Sequence, residues 1–256
     1  MKTPHLLKLC KAGKSPEAKS LIETGVDINM RTPKGKTALM YACRSGCAEL
    51  AEHLVRKGAE LHCATIKGKT ALHYAAAGGN TEIVELLIAE GCETEPRTLN
   101  GRTPLMQACC KGYATIVALL LRCGADIHAT DTLGMAPLHH AAAKGRWDVV
   151  ELLLRHGANI HAADAAGYTP LLHAVAEGRR SVLELLLLRG ARAEDTDLQG
   201  NTALHLACLN GRRKQAEFLL MRGADSTCTN KQGKTPRDLA TQSGNLKLLQ
   251  TLKTLL

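Results

Sequence analysis

The 33 residues from Asp164 to Thr196, DAAGYTPLLHAVAEGRRSVLELLLLRGARAEDT, decide how this chain is built. "DAAG" is turn chemistry, an aspartate followed by a glycine free to take positive φ. "TP" supplies an N-cap threonine and a proline at the first helical position. "LLHAVAEG" reads as a short helix stopped by Gly178. "SVLELLLLRG" reads as a second helix, apolar at Val182, Leu183, Leu185, Leu186 and Leu187 and closed by Gly190. The stretch is a turn and two antiparallel helices, and neither helix buries its apolar face without a neighbour.

The neighbour is the same unit again. Gly35, Gly68, Gly101, Gly134, Gly167, Gly200 and Gly233 recur every 33 residues. Gly13, Gly46, Gly79, Gly112, Gly145, Gly178, Gly211 and Gly244 form a second series, and Gly25, Gly58, Gly91, Gly124, Gly157, Gly190 and Gly223 a third. One phase held across the chain means stacked repeats, each supplying part of the next one's core.

The unit resembles the ankyrin repeat. "NGRTPLMQACCKGYATIVALLLRCGADIHA" (Asn100 to Ala129) and "LQGNTALHLACLNGRRKQAEFLLMRGADS" (Leu198 to Ser226) match that family's pattern closely. The resemblance covers eight units and essentially all 256 residues. It implies an all-α solenoid of helix-turn-helix units with projecting hairpin tips. The expected organisation is a single domain over 1–256: an N-terminal cap repeat at 1–31, six full repeats at 32–229 and a C-terminal cap repeat at 230–256. The first unit lacks its turn, and the last reads TPRDLA with Arg237 where leucine is usual, as capping repeats would. Ala136 replaces the capping threonine of the fifth unit, a loss worth about 1 kcal/mol. The final "LKTLL" leaves apolar side chains at the terminus, which fits a truncation or a docked neighbour.

The totals narrow the function classes. Aromatics are only 2% of the chain, and the net charge is +9. An acidic partner is therefore expected, with phosphate-backbone binding to nucleic acid as the alternative. No apolar run is long enough to span a membrane, and MKTPHLLKLCKAGKSPEAK carries no secretory leader pattern. The ten cysteines show no CxxC and no zinc spacing. Cys10, Cys43, Cys109 and Cys208 share one small-residue position, where a free thiol acts as a small apolar side chain. Free thiols in this number point to the reducing cytoplasm or nucleus. The sequence contains no GxxxxGK[ST], GxSxG or HExxH. The expectation is a non-catalytic protein, without cofactor or metal, monomeric on its own.

The adjacent histidines of "PLHHAAAKG" resolve by register. His139 aligns with His73 and His205, and the resemblance implies hydrogen bonds within and between repeats for it. His140 aligns with Tyr41, Tyr74, Gln107, His173 and Leu206, a varied register that in this family faces the concave groove. The turns at the tips read PKGK, IKGK and LNGR, supplying Lys34, Lys36, Lys67, Lys69 and Arg102. Thr32, Thr65 and Thr98 open these turns where aspartate is usual, so this edge should be positive, helped by the helix N-termini. Further along, the tips turn apolar at Leu133, Met135 and Tyr168.

The expected function is a protein-interaction scaffold or adaptor. Its partner would be acidic toward Lys34, Lys36, Lys67, Lys69 and Arg102. The anchors would be Tyr41, Tyr74, Gln107, Leu133, Met135, His140, Tyr168 and His173, since aromatics favour binding hot spots. A structural spacer within a larger assembly is a further reading. Arg146, Arg179, Arg180, Arg212, Arg213 and Lys214 form a second basic set in the loops between paired helices, expected to be solvated.

Overall fold

A computed structural model of the chain describes residues 3–242 and 249–250. Among the described residues it forms fifteen α-helices and no strand. Close backbone contacts group into two compact units, Met1–Thr132 and Leu133–Leu256.

The first unit holds four helix pairs: α1 (Thr3–Lys11) with α2 (Ser15–Glu23), α3 (Ala38–Ser45) with α4 (Ala48–Arg56), α5 (Ala71–Gly78) with α6 (Thr81–Ala89), and α7 (Pro104–Lys111) with α8 (Ala114–Arg122). First helices pack on first helices and second on second. Threonine caps start the first helices: Thr37 and Thr103 each accept from the N–H three residues on. Leu6, Leu39, Leu72 and Leu105, one per repeat, are at most 1% exposed. Each such leucine contributes about 1.5–3 kcal/mol by leaving water.

The second unit repeats the plan with α9 (Pro137–Ala143) and α10 (Trp147–Arg155), α11 (Pro170–Ala176) and α12 (Arg180–Leu188), α13 (Ala203–Leu209) and α14 (Arg213–Met221), then α15 (Pro236–Gln242). Leu138, Leu171 and Leu204 fill the same leucine position. At α15 that position is Arg237, which is exposed, so the apolar column ends there. Gly244 and the terminal "LKTLL" lie outside the described residues.

The turns are tied to one another by their backbones. Ala165 N–H donates to Leu133 O and Leu198 N–H to Ala166 O, both at 3.0 Å. A β-carbon on Gly134 or Gly167 would sit 2.7 Å from those same N atoms, so glycine is needed for proximity as well as for its positive φ.

Cys10, Cys43, Cys109 and Cys208 are fully buried. Burial pushes the Cys10 thiol up to about 11 and that of Cys208 to about 12, which leaves them unreactive packing groups. Ala136 has no oxygen to accept from the helix. Its own N–H still donates to His139 Nδ1 at 3.1 Å, so half of the reciprocal cap survives.

Candidate functional site

The basic edge of the first unit begins with a substitution at the turn openings. A turn of this kind needs an acceptor for the N–H four residues on. In the second unit Asp164 and Asp197 provide it through Oδ1, to Tyr168 and Asn201 at 2.9 and 2.8 Å. In the first unit Thr32, Thr65 and Thr98 do the same through Oγ1, to Lys36, Lys69 and Arg102 at 3.0, 3.1 and 3.0 Å. The hydrogen bond is kept while the negative charge is dropped.

The exchange removes the acids from these turns. Across the turns and first helices of this unit (residues 3–12, 32–46, 65–79 and 98–112) the sequence carries Lys8, Lys11, Lys34, Lys36, Arg44, Lys67, Lys69, Arg102 and Lys111, and no acid. The tip sequences alone do not reveal Lys8, Lys11 and Arg44. They share first-helix registers with Tyr41 and Cys110, and extending the 33-residue alignment to exposed helix positions would have found them.

The face is organised around two tyrosines. Lys36 Nζ lies 5.3 Å from the ring centre of Tyr41 and 5.6 Å from that of Tyr74; Lys69 Nζ lies 5.9 Å from Tyr74. These rings hold the ammonium groups by their negative faces. Burial, then the like charges of Arg44, Arg102, Lys67 and Lys36, pull Lys69 below the ordinary lysine range. Lys34 and Lys67 are exposed at the tips, and Gln107 is half-buried. Arg102 differs from the expectation of a free cation. Its Nε donates at 3.4 Å to Asp131, whose carboxylate is buried at the next turn opening.

The edge is also less purely basic than its lysines suggest. Ile66 is 62% exposed and Leu99 73%. Ile66 N–H donates to Lys34 O and Leu99 N–H to Lys67 O, at 3.2 and 3.1 Å. Each apolar tip thus stands beside the lysine of the preceding turn. The signal was present in the sequence as Pro33, Ile66 and Leu99, spaced by 33.

In the second unit, Leu133 is exposed as expected, but Met135 and His140 are not. Met135 has the register of Lys36 and Lys69. Without a charge to keep in water, its flexible chain lies against the core and is buried. His140 is 3% exposed, and Leu206 in its register 1%, so at these two positions the register belongs to the interior, while His173 between them is half-buried. His173 is held from its own turn: its Nε2 meets Asp164 Oδ2 at 2.7 Å and its ring lies 5.2 Å from that of Tyr168. Burial opposes charge on Asp164. The bonds from His173, Tyr168 and Ala166 outweigh it and hold the carboxyl below its usual range.

The second basic set is partly structural. Arg179 Nε donates to Ala143 O at 3.0 Å and Arg212 to Ala176 O at 3.2 Å. Each reaches back over a glycine, Gly145 or Gly178, to satisfy the last carbonyl of the preceding repeat's first helix. Arg180 and Arg213 pair along their own helices with Glu184 and Glu217.

Among the described residues no helix is long and apolar enough to cross a membrane. No curated protein matches the chain. A family model described as Ankyrin repeats (3 copies) matches residues 49–131 and 115–197, and one described as Ankyrin repeats (many copies) matches residues 21–75 and 185–240. Such repeats generally mediate protein–protein contacts and are generally non-catalytic. With the helix pairs, the threonine caps and the ladder of turns all in the matched phase, the chain belongs to the ankyrin repeat family.

Proposed function

We propose that this chain is a non-catalytic interaction scaffold or adaptor, whose first unit binds an acidic segment of a partner protein on the face made by its turns and first helices. One observation carries the reading: the first three turns and four first helices of this unit carry nine cations and no acid of their own, Arg102 meeting Asp131 of the following turn, because threonine has taken over the turn-opening role of aspartate. Lys34 and Lys67 stand outermost and steer encounter, where exposed charge acts mainly on association rate. Lys36 and Lys69, backed by Tyr41 and Tyr74, pair with the bound segment, and Ile66 and Leu99 give it apolar contact. Leu133 and Tyr168 are the contact residues proposed for the second unit. The ten free thiols suit a reducing compartment, cytoplasm or nucleus.

The alternative is a nucleic acid held by its phosphates, which the same nine cations favour. Against it, the faces of Tyr41 and Tyr74 are taken up by ammonium groups and are not free stacking platforms for bases.

Affinity capture with the wild-type chain and with Lys34→Glu, Lys36→Glu, Lys67→Glu, Lys69→Glu tests the reading. The captured partner is then titrated at low and moderate salt. A partner lost by the variant, with association slowed and salt dependence reduced, supports it. Equal binding by both proteins overturns it, and tight binding of duplex DNA that the variant loses transfers the site to nucleic acid.

A further inference from the structure

Two clefts lie on the basic face of the first unit, and they differ in chemistry. The first, of about 450 Å³, is lined by Leu7, Met30, Pro33 and Tyr41 together with Lys8 and Lys11. It lies between α1, which supplies Leu7, Lys8 and Lys11, and the turn and first helix of the second repeat, which supply Pro33 and Tyr41. The second, of about 320 Å³, is lined by Lys67, Lys69 and Arg102, by the neutral polar groups of Thr98, Asn100 and Gln107, and by the apolar tip of Leu99. One is an apolar socket with cations beside it. The other is built mainly of cations and uncharged polar side chains, the set that holds an oxyanion, with Leu99 at its edge.

The clefts are joined by the tyrosine–lysine ladder. Tyr41 lines the first; Lys36 bridges Tyr41 to Tyr74; Tyr74 meets Lys69, which lines the second. The ladder is a single row of side chains. An extended strand, which needs about 4.8 Å of width, follows such a row, whereas a helix about 10–12 Å across does not.

The spacing then specifies the ligand. The first cleft lies at the step between the first and second repeats, the second at the step between the third and fourth. Two steps of packed helices, each about 8–10 Å, separate them by about 16–20 Å. An extended chain covers that in about five or six residues.

We propose that the first unit recognises an extended protein segment carrying a bulky apolar residue and, about five or six residues away, an acidic one, the apolar residue entering the cleft at Met30 and the acid the cleft at Lys67 and Lys69. This rests on the acidic-partner reading above and adds to it the spacing and the second anchor.

Fluorescein-labelled peptides of Ser and Ala, each with one Phe and one Glu-Glu pair separated by two to about twelve residues, test it against the full chain by fluorescence anisotropy. Affinity should peak at a separation of five or six, at least tenfold above the shortest. Met30→Glu should abolish the gain from Phe while sparing the salt-dependent part. Lys67→Glu should abolish the gain from Glu-Glu while sparing the apolar part; circular dichroism checks that both variants fold. Acidic peptides that all bind alike, whatever the separation, sink this inference and leave the acidic-partner reading standing. A peak at eleven or twelve replaces the extended segment with a helix and overturns it as well. No peptide binding at any separation removes both. A single-stranded oligonucleotide that outcompetes every peptide assigns the face to nucleic acid.

Discussion

His73 donates from Nε2 to the carbonyl oxygen of Arg102 at 2.9 Å, so a side chain of one repeat fastens the turn of the next. Its other nitrogen, Nδ1, accepts from the Thr70 N–H at 3.2 Å and lies 3.0 Å from the Thr70 hydroxyl. A carbonyl only accepts, so the proton sits on Nε2 and the ring is neutral. His205 repeats the arrangement with Thr202 and Lys234 O, and His139 with Ala136, Ala162 O and Tyr168 O.

Replacing His73 with alanine leaves the half-buried Thr70 N–H and the Arg102 carbonyl without this partner. The expected loss is about 1–3 kcal/mol of unfolding stability, read from urea denaturation. Arg102 also carries part of the basic face, so His73→Ala should weaken partner binding slightly as well. A variant as stable as wild type would show that these bonds add nothing net.

The same histidine sets a pH dependence. Burial, partly offset by the bond to Arg102 O, lowers His73 from its ordinary 6.5 to about 4. The unfolded chain therefore binds the proton more readily. The stability contributed by neutral His73 is complete above about pH 6.5 and is lost as pH falls toward 4. His139 and His205 are shifted the same way, chiefly by burial. Each costs at most about 1.4 kcal/mol per pH unit inside its window. Denaturation midpoints measured from pH 7 to 4 should fall, and the slope should shrink in His73→Gln. A flat profile would contradict the shift.

Ala136→Thr should stabilise the protein. The backbone at 136 already has the extended cap conformation of Thr37 and Thr103, and the missing element is a side-chain oxygen for the His139 N–H. The gain expected is about 1 kcal/mol, visible as a raised melting temperature. Residue 136 is buried, so Ala136→Val, similar in shape and lacking the hydroxyl, separates the cap from packing. If both variants behave alike, the cap is not responsible.

Arg179 and Lys214 should separate by stability although the sequence places both in loops; Arg179 is an N-cap residue and Lys214 lies in the first turn of α14. Arg179→Ala frees the Ala143 carbonyl that its Nε reaches, and should cost about 1–2 kcal/mol in thermal or urea unfolding. Lys214→Ala, exposed at the start of α14, should change stability by no more than about 0.5 kcal/mol. Equal losses would mean that the reach over Gly145 has no energetic weight.

The sequence by itself determined the repeat. Glycines in three phases, threonine caps and apolar periodicity are local signals, and they are enough to place a turn and two helices every 33 residues. The shared small-residue position also placed the buried cysteines, and the family resemblance implied the role of His139. Only the tertiary structure decided which exposed-looking positions are open and which charges are spoken for. Met135 and His140 are buried, Arg102 leans on Asp131, and Arg179 and Arg212 cap helices of the preceding repeat. The reason is distance along the chain. Helix, turn and cap depend on residues up to four apart, whereas these outcomes depend on partners 29 to 36 residues away. A register aligns equivalent backbone positions, but the neighbouring repeat brings different side chains to each of them, and those neighbours settle burial and pairing.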